Sequence, residues 1–277
     1  MEQDRKTKLE KLIKRIGKIT SKILFTNSFE LDLLVEHCGE IEPFYNIISL
    51  DARSSFENPS FRNLRFLELF PYTQYLYICE HKQGRQNEAK PMTFDGIQNC
   101  PNLNELHIVI PVPPILTGIE FCSELTRFEV DVICDGDQPM NITPLSELEN
   151  LQYVSTCITH GVELGDSEDF ECITVETEGL DLSGCKSLKT LYISPTSKDL
   201  RFLGSVQLER LNVCRSGIES LEGLDITNLA FIDIRHNQIT CVEKLRGARL
   251  RRFTHLDMME GNPIDPDILE EISNSWV

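Results

Sequence analysis

The sequence lacks the features that mark membrane proteins, secreted proteins and small metal-binding domains. No apolar run approaches the ~18 residues of a membrane span. The N-terminus, MEQDRKTKLEKLIKRIGKIT, has no uninterrupted apolar core of the kind found in secretory signals. The 10 cysteines include no Cys-x-x-Cys pair, so neither a zinc ribbon nor a thioredoxin-like site is supported. We therefore expect a soluble intracellular protein, cytoplasmic or nuclear.

Signatures of catalysis are missing as well. There is no Gly-rich loop followed by Lys-Ser/Thr, no Gly-x-Ser-x-Gly and no His-Glu-x-x-His. His107 with Glu105, or His236 with Asp233, could form acid–base pairs, although strand neighbours of this kind are more commonly surface residues. Cys214, expected at an exposed strand position beside Arg215, is an alternative nucleophile. We expect a protein that is not an enzyme and that uses no metal or cofactor.

Basic residues are scarce relative to acidic ones. The chain has 27 Lys and Arg against 44 Asp and Glu, a formal net charge of −17. Such a chain repels the phosphate backbone, so no direct contact with nucleic acid is expected. The excess favours a protein partner with a basic region, and a contribution to solubility is the alternative explanation.

An apolar pattern is repeated near the C-terminus. Leu208-x-x-Leu211-x-Val213 is followed by Leu229-x-x-Ile232-x-Ile234, and a looser copy runs from 253 to 264. Repeats of this period build solenoids. Earlier copies in the same phase predict about eight to ten strands over roughly 45–260. These copies begin at Leu64, Leu103, Leu125, Leu151 and Leu188, with weaker candidates at Ile47 and Cys172.

The best copies resemble the leucine-rich repeat family. Leu208-Glu-Arg-Leu-Asn-Val-Cys-Arg-Ser-Gly-Ile and Leu229-Ala-Phe-Ile-Asp-Ile-Arg-His-Asn-Gln-Ile are similar to its strand-plus-turn signature. Their period resembles its short, roughly 22-residue subclass, which includes the protein phosphatase-1 nuclear regulator type. Copies such as Asn99-Cys-Pro-Asn-Leu instead resemble the cysteine-containing repeats of F-box substrate receptors. The resemblance implies an α/β solenoid: a curved horseshoe with a parallel sheet on its concave face.

Two residue types recur in phase with the repeats. Cys100, Cys122 and Cys185 each occupy the equivalent point of their units, so we expect buried thiols in a small apolar slot. The turn asparagine that the family uses to satisfy backbone groups is present at Asn237 and Asn262. Other residues hold this position elsewhere, and irregular turns are expected there.

The chain ends predict caps on a single structural domain. Residues 1–45 form the N-terminal helical cap region, 46–262 the solenoid and 263–277 the C-terminal cap. Apolar residues from Leu9 to Ile23 recur at helical spacing. That helix either covers the first repeat, lies on a membrane or binds a partner. A closing helix should begin at Asp265 or Asp267, with Ile268, Leu269 and Ile272 facing inward and Trp276 sealing the last turn.

Residues between the inward leucines should line the concave face. Charged and aromatic side chains together on one extended surface are typical of protein interfaces. We expect an acidic stripe over the first two-thirds of the solenoid and a basic last third. The predicted partner-binding residues are Phe66, Glu68, Phe70, Glu105, His107, Arg127, Glu129, Asp131, Tyr153, Glu176, Tyr192, Arg210, Arg215, Phe231, Asp233, Arg235 and His236.

These patterns predict a noncatalytic protein–protein interaction module, an adaptor or regulatory subunit that binds its partner on the concave face. The alternative is a permanent structural subunit of a larger complex, with the N-terminal helix docked on a neighbour. An F-box-like substrate receptor and an enzyme are further alternatives.

Overall fold

The computed structural model describes residues 2–25, 28–55, 63–81, 91–133, 139–158, 171–250 and 259–276. The packing of the chain separates two compact units, Met1–Cys134 (unit 1) and Asp135–Val277 (unit 2). The domain boundaries at 45/46 and 262/263 stay predictions. The strand of the loosest repeat copy, 253–258, lies outside the described residues.

Unit 1 is built on a parallel sheet with neighbouring strands in chain order. Its helices and strands are α1 Glu2–Ile16, β1 Lys22–Phe25, α2 Ser28–His37, β2 Ser49–Ser55, β3 Tyr75–His81, β4 Glu105–Ile110 and β5 Arg127–Val132. Short 3-10 helices return the chain between strands: Cys38–Glu40, Arg65–Leu69, Ile97–Asn99 and Ile119–Phe121.

Alternate residues of the unit 1 strands point into a core wherever the structure describes their side chains. The register places Leu50, Leu76, Leu106 and Phe128 side by side, and all four are buried. Because side chains alternate along a strand with a period of two, the residues between them face the other side of the sheet. The predicted alternation is therefore confirmed for β4 and β5.

The predicted strand at 64–69 is wrong. These residues form the 3-10 helix Arg65–Leu69, and the strand of this repeat is β3. Phe66 and Phe70 are both 0% exposed, and the Phe70 ring stacks on Phe44 with centroids 5.6 Å apart. They are core residues, not residues of an exposed strand face. The error arises because Leu-x-x-Leu-x-Leu also fits a short helical turn that buries its apolar side.

Unit 2 contains two parallel sheets. Its helix and strands are β6 Met140–Asn141, β7 Tyr153–Ile158, β8 Glu171–Cys172, β9 Thr174–Glu176, β10 Thr190–Tyr192, β11 Ser194–Pro195, β12 Arg210–Asn212, β13 Phe231–Asp233 and α3 Pro266–Ser273. The larger sheet has the order β7-β10-β12-β13, and β8 pairs antiparallel with β7. The smaller sheet has the order β11-β9-β6. The 3-10 helices are Thr143–Glu147, Leu182–Gly184, Arg201–Leu203 and Glu243–Leu245.

The three cysteines that recur in phase lie where the sequence predicts them. Cys100, Cys122 and Cys185 are 0% exposed, and burial raises the pKa of each thiol to about 12. Cys100 donates to the carbonyl of Phe70 (3.3 Å) and Cys185 to that of Leu145 (3.2 Å). Each therefore fills a slot and bonds to the backbone of an earlier turn.

The turn asparagines also act as predicted. Asn237 is fully buried, and its Oδ1 accepts hydrogen bonds from the N–H groups of Ser216 (3.0 Å) and Ile218 (2.9 Å). Its Nδ2 donates to the carbonyl of Ile234 (2.9 Å). Asn262 donates to that same carbonyl from the following turn (2.7 Å). The asparagines therefore hold successive turns together through backbone groups.

The N-terminal helix is shorter than its apolar pattern indicates. α1 ends at Ile16, and Ile23 lies in β1, where it is paired with Leu50 of β2. Pairing with a neighbouring strand overrides the helical spacing at this point. α1 packs on α2, which the sequence pattern did not predict, and α2 packs against β1 and β2. α2 therefore covers the first strands of the sheet.

The C-terminal helix closes unit 2. Asp265 caps the N-terminus of α3, and Ile272 is fully buried. Ile268 is 36% exposed, so its predicted inward orientation is wrong. Trp276 is buried, and its Nε1–H donates to the carbonyl of Leu245 (3.1 Å). The predicted role of this tryptophan in sealing the last turn is confirmed.

Candidate functional site

The outward side of the unit 1 sheet carries rows of polar and aromatic side chains. The strand register aligns Tyr75 with Glu105 and Arg127, and in the next row Tyr77 with His107. These rows lie opposite the buried leucines, so they face away from the core. We call the set the unit 1 face: Asp51, Arg53, Tyr75, Tyr77, Glu105, His107, Arg127, Glu129 and Asp131.

A chain of ionic and aromatic contacts crosses the unit 1 face. Arg53 holds Asp51 through two hydrogen bonds, Nε to Oδ1 at 2.9 Å and Nη2 to Oδ2 at 3.0 Å. The Arg53 guanidinium lies 5.3 Å from the centre of the Tyr77 ring. Tyr77 meets His107 edge to face at 5.0 Å, and His107 Nε2 donates to Asp131 Oδ2 at 2.8 Å. Four strands are thus joined by one contact network.

The carboxylates of this network are partnered within the face. Asp51 and Asp131 are only 7% and 6% exposed, beside Arg53 and His107 respectively. Glu129 contacts Arg127. Buried or half-buried charges require such partners, because their desolvation is otherwise costly.

On this surface the predicted acidic stripe is reduced to Glu105, Glu129 and Asp131. Glu68 is exposed, but it lies on the 3-10 helix Arg65–Leu69 and not on the sheet. Glu176 lies in β9, which belongs to the smaller sheet of unit 2. Asp131 and Glu129 are on the sheet face, but they are paired there with neighbouring side chains.

Burial keeps the phenol and thiol of this face uncharged. Burial raises the pKa of Tyr77 well above its usual range, and a hydrogen bond to Cys79 adds to that shift. Burial likewise raises the pKa of the Cys79 thiol. The hydrogen bond to Asp51 raises the pKa of Arg53. At neutral pH the face therefore presents a neutral phenol next to a permanent cation.

A depression of about 340 Å³ opens on the unit 1 face. Tyr75 and Tyr77 line it, together with Lys22 and Glu105. Tyr75 is 43% exposed, although large apolar rings are normally buried. The depression thus combines an aromatic wall with two cationic groups, Lys22 and Arg53, and two carboxylates, Asp51 and Glu105.

The outward side of the larger sheet in unit 2 carries a second aromatic group. The Tyr153 and Tyr192 rings meet edge to face at 5.9 Å, and Arg210 lies 5.7 Å from the centre of the Phe231 ring. Asp233, 2% exposed, is held by Arg235 (Nη2 to Oδ2, 2.9 Å). We call this set the unit 2 face: Tyr153, Tyr192, Arg210, Phe231, Asp233 and Arg235.

Eleven predicted site residues lie on these two faces and six do not. Those on the faces are Glu105, His107, Arg127, Glu129, Asp131, Tyr153, Tyr192, Arg210, Phe231, Asp233 and Arg235. Phe66 and Phe70 are buried, and Glu68 and Glu176 lie on other elements. Arg215 and His236 follow their strands in turns, with φ of 55° and 54°.

The sequence pattern missed the residues at the centre of the unit 1 network. Arg53 and Tyr77 lie on β2 and β3, and β3 had been displaced onto residues 64–69. The alternation Tyr75-Leu76-Tyr77-Ile78 was the signal that identifies β3. It was obscured because the next aligned position, Leu106, comes 30 residues after Leu76, beyond the usual repeat period.

The candidate catalytic pairs are not assembled as the sequence suggested. His107 contacts Asp131 instead of Glu105, and Asp233 contacts Arg235 instead of His236. Cys214 is 7% exposed, so the expectation of an exposed thiol is wrong. Among the described residues, no group of three His, Cys, Asp or Glu is placed to hold a metal ion.

Comparison with solved structures identifies the fold. An internalin from Listeria monocytogenes superimposes with a TM-score of 0.52 over 93% of this chain and 78% of that chain, at 12% sequence identity. Internalins are leucine-rich repeat proteins, and at this identity the likeness shows the fold alone. The predicted fold class, an α/β solenoid of leucine-rich repeats with a parallel sheet, is confirmed. The short subclass and the F-box-like copies remain predictions.

Two other comparisons gave no match. No family model matches the chain, and no curated protein does. Within the described part of the chain, none of the helices is long and apolar enough to cross a membrane.

Proposed function

We propose that this protein is a noncatalytic protein-binding module, an adaptor or regulatory subunit, and that it binds its partner through the unit 1 and unit 2 faces. The leucine-rich repeat fold supports a protein-interaction role in general. The network from Asp51 to Asp131 is the observation that supports this particular surface. Tyrosine and arginine are the residue types that dominate binding energy at protein interfaces.

The network also reduces the cost of binding. A flexible side chain loses conformational freedom when a partner immobilises it, at about 0.5–1.5 kcal/mol each. Arg53 and His107 are already held by Asp51 and Asp131 in the described structure. A partner would therefore meet a preordered surface. Basic groups on the partner would suit Glu105, which is exposed at the depression.

The packing of α1 is relevant to the alternative in which the N-terminal helix docks on a neighbouring subunit. α1 packs on this chain's own α2, and Leu12 and Ile16 of α1 are buried, which supports a capping role. Buried thiols at Cys100, Cys122 and Cys185 support a reducing compartment such as the cytoplasm or nucleus.

Alanine substitution of Tyr75, the exposed tyrosine that lines the depression, tests the proposal. Partners are isolated from native cells with the full-length chain, and the dissociation constant is measured with the purified partner. We expect Tyr75→Ala to weaken binding about 30-fold, corresponding to a loss of ~2 kcal/mol. Tyr72→Ala is the matched control, since Tyr72 is 52% exposed in the turn before β3. Equal affinities for wild type and Tyr75→Ala would rule out recognition through this part of the face.

A further inference from the structure

Two cysteines lie directly opposite each other in unit 2. β8 pairs antiparallel with β7, and the register places Cys157 opposite Cys172. Both side chains are 5% exposed, and a hydrogen bond joins their thiols. The described cysteines are thiols and not disulfides, so this is the reduced form of the pair.

The backbone brings this pair within reach of a covalent bond. Ile173 N–H donates to the carbonyl of Thr156 (3.0 Å), and these residues form the adjacent opposed pair of the ladder. Hydrogen-bonded and non-hydrogen-bonded pairs alternate in an antiparallel ladder, so Cys157 and Cys172 are a non-hydrogen-bonded pair. Such pairs have Cα atoms about 4.5 Å apart, within the range of about 4.4–6.8 Å that a disulfide spans.

This arrangement differs from that of the repeat cysteines. Cys100 and Cys185 bond to backbone carbonyls of earlier turns, which is a packing role. Cys157 and Cys172 instead contact each other, and Cys157 Sγ is also 3.2 Å from the Ser155 hydroxyl. A packing role would not require two thiols in contact.

We propose that Cys157 and Cys172 form a redox-modification site, at which hydrogen peroxide converts the two thiols into a disulfide that clamps β8 to β7. One thiolate attacks a peroxide oxygen; the S–O bond forms, the O–O bond breaks, and the leaving hydroxide takes the thiol proton to become water. The second sulfur attacks the sulfenic sulfur, which forms the S–S bond and releases a second water. Two thiols are oxidised and one peroxide is reduced.

Reaction at this site is slower than at an exposed thiol. The hydrogen bond that the Cys172 thiol donates to Cys157 and burial both raise the pKa of Cys172, and only the thiolate is nucleophilic. Cys241 is exposed and serves as an internal measure of oxidant exposure. Once formed, the disulfide closes the chain between 157 and 172 and stabilises the fold by restricting the unfolded chain.

Peptide mapping of the full-length protein tests the site. Reduced protein is exposed to hydrogen peroxide for a series of times that extends well beyond the oxidation of Cys241, then alkylated with iodoacetamide in denaturant and digested without reductant. A glutamate-specific protease is needed, because no Lys or Arg separates the two cysteines whereas Glu163, Glu168 and Glu171 do. We expect a linked peptide pair joining Cys157 to Cys172 that disappears after reduction.

Thermal unfolding supplies the second measurement. Oxidation should raise the unfolding midpoint of the wild type by several degrees, and reduction should reverse the rise. Cys172→Ser should abolish the rise, while Cys241→Ser should retain it. The proposal is overturned if both thiols are still alkylated at the longest exposure, if either is linked to Cys214, or if the midpoint does not move. The wild-type peptide map stands even if Cys172→Ser does not fold.

Discussion

At the scale of single residues, buried polar side chains hold the turns of unit 2. Asn237 accepts hydrogen bonds from the backbone N–H groups of Ser216 and Ile218. It donates to three backbone carbonyls, those of Val213, Ile234 and Arg235. Buried backbone groups without partners are costly. One side-chain amide therefore supplies hydrogen bonds that these five groups would otherwise need from solvent.

Loss of this amide should destabilise unit 2. We expect Asn237→Ala to lower the free energy of unfolding by about 3 kcal/mol, because it leaves several buried backbone groups unsatisfied. Fluorescence of Trp276, the single tryptophan, follows urea unfolding of unit 2. Asn228→Ala is the control, since the exposed Asn228 amide bonds to the Gln207 side chain. A similar loss in both variants would contradict this role for Asn237.

The environment of a single residue could be predicted where that residue recurs in phase with the repeats. Asn237 and the cysteines at 100, 122 and 185 recur in phase, so their environments could be inferred. The pairing of His107 with Asp131 could not, because it joins side chains 24 residues apart on neighbouring strands. Pairings of this kind follow from register and side-chain geometry, which a one-dimensional pattern does not contain.

At the scale of elements, successive repeats are packed so closely that the backbone of one turn contacts the backbone of the turn before it. A Cβ added at Gly223 would lie 2.4 Å from the Leu200 carbonyl of the preceding repeat, and the φ of Gly223 is +96°. Gly96 is in the same situation against Leu64, at 2.5 Å. Glycine at this point allows each turn to approach the turn before it.

Two alanine variants distinguish the energetic cost of a clash with the preceding repeat from the cost of the left-handed backbone conformation. Gly217 also has a positive φ (+69°), but a Cβ there would meet nothing within 4 Å. We expect Gly217→Ala to cost about 1 kcal/mol of unfolding free energy for the left-handed conformation. Gly223→Ala should cost about 3 kcal/mol, because the clash adds to the strain. Urea titrations followed by Trp276 fluorescence measure both, and equal losses would show that the turns can move apart freely.

The positions of strands whose repeat copies carry the full leucine pattern could be predicted from the sequence, and the positions of strands without that pattern could not. β12 and β13 match the copies at 208 and 229. β3 was misplaced because Leu64–Leu69 mimics a strand, and β1 because Ile23 continues the helical spacing of α1. In both cases the decisive interaction is pairing with β2, whose own pattern, beginning at Ile47, is weak.

At the scale of the whole molecule, charge and recognition surface are separated. The chain carries a formal charge of −17, yet Asp51, Asp131 and Asp233 on the two faces are paired with cationic or imidazole groups. Apart from Glu105 on the unit 1 face, there are exposed acids in loops and 3-10 helices outside the faces, for example Glu219 and Glu243. The faces therefore offer aromatic and paired ionic groups, and the remaining surface supplies solubility.

Site-specific photocrosslinking tests most directly whether the unit 1 face binds a partner. Tyr75 is replaced by p-benzoylphenylalanine in the full-length chain, which is irradiated in its native cells, and Tyr72 is replaced in a matched control. Both substitutions keep an aromatic ring at an exposed position. The account predicts a discrete covalent adduct with a partner protein from position 75 and none from position 72. Equal adducts from both positions, or an adduct from position 72 alone, would contradict it.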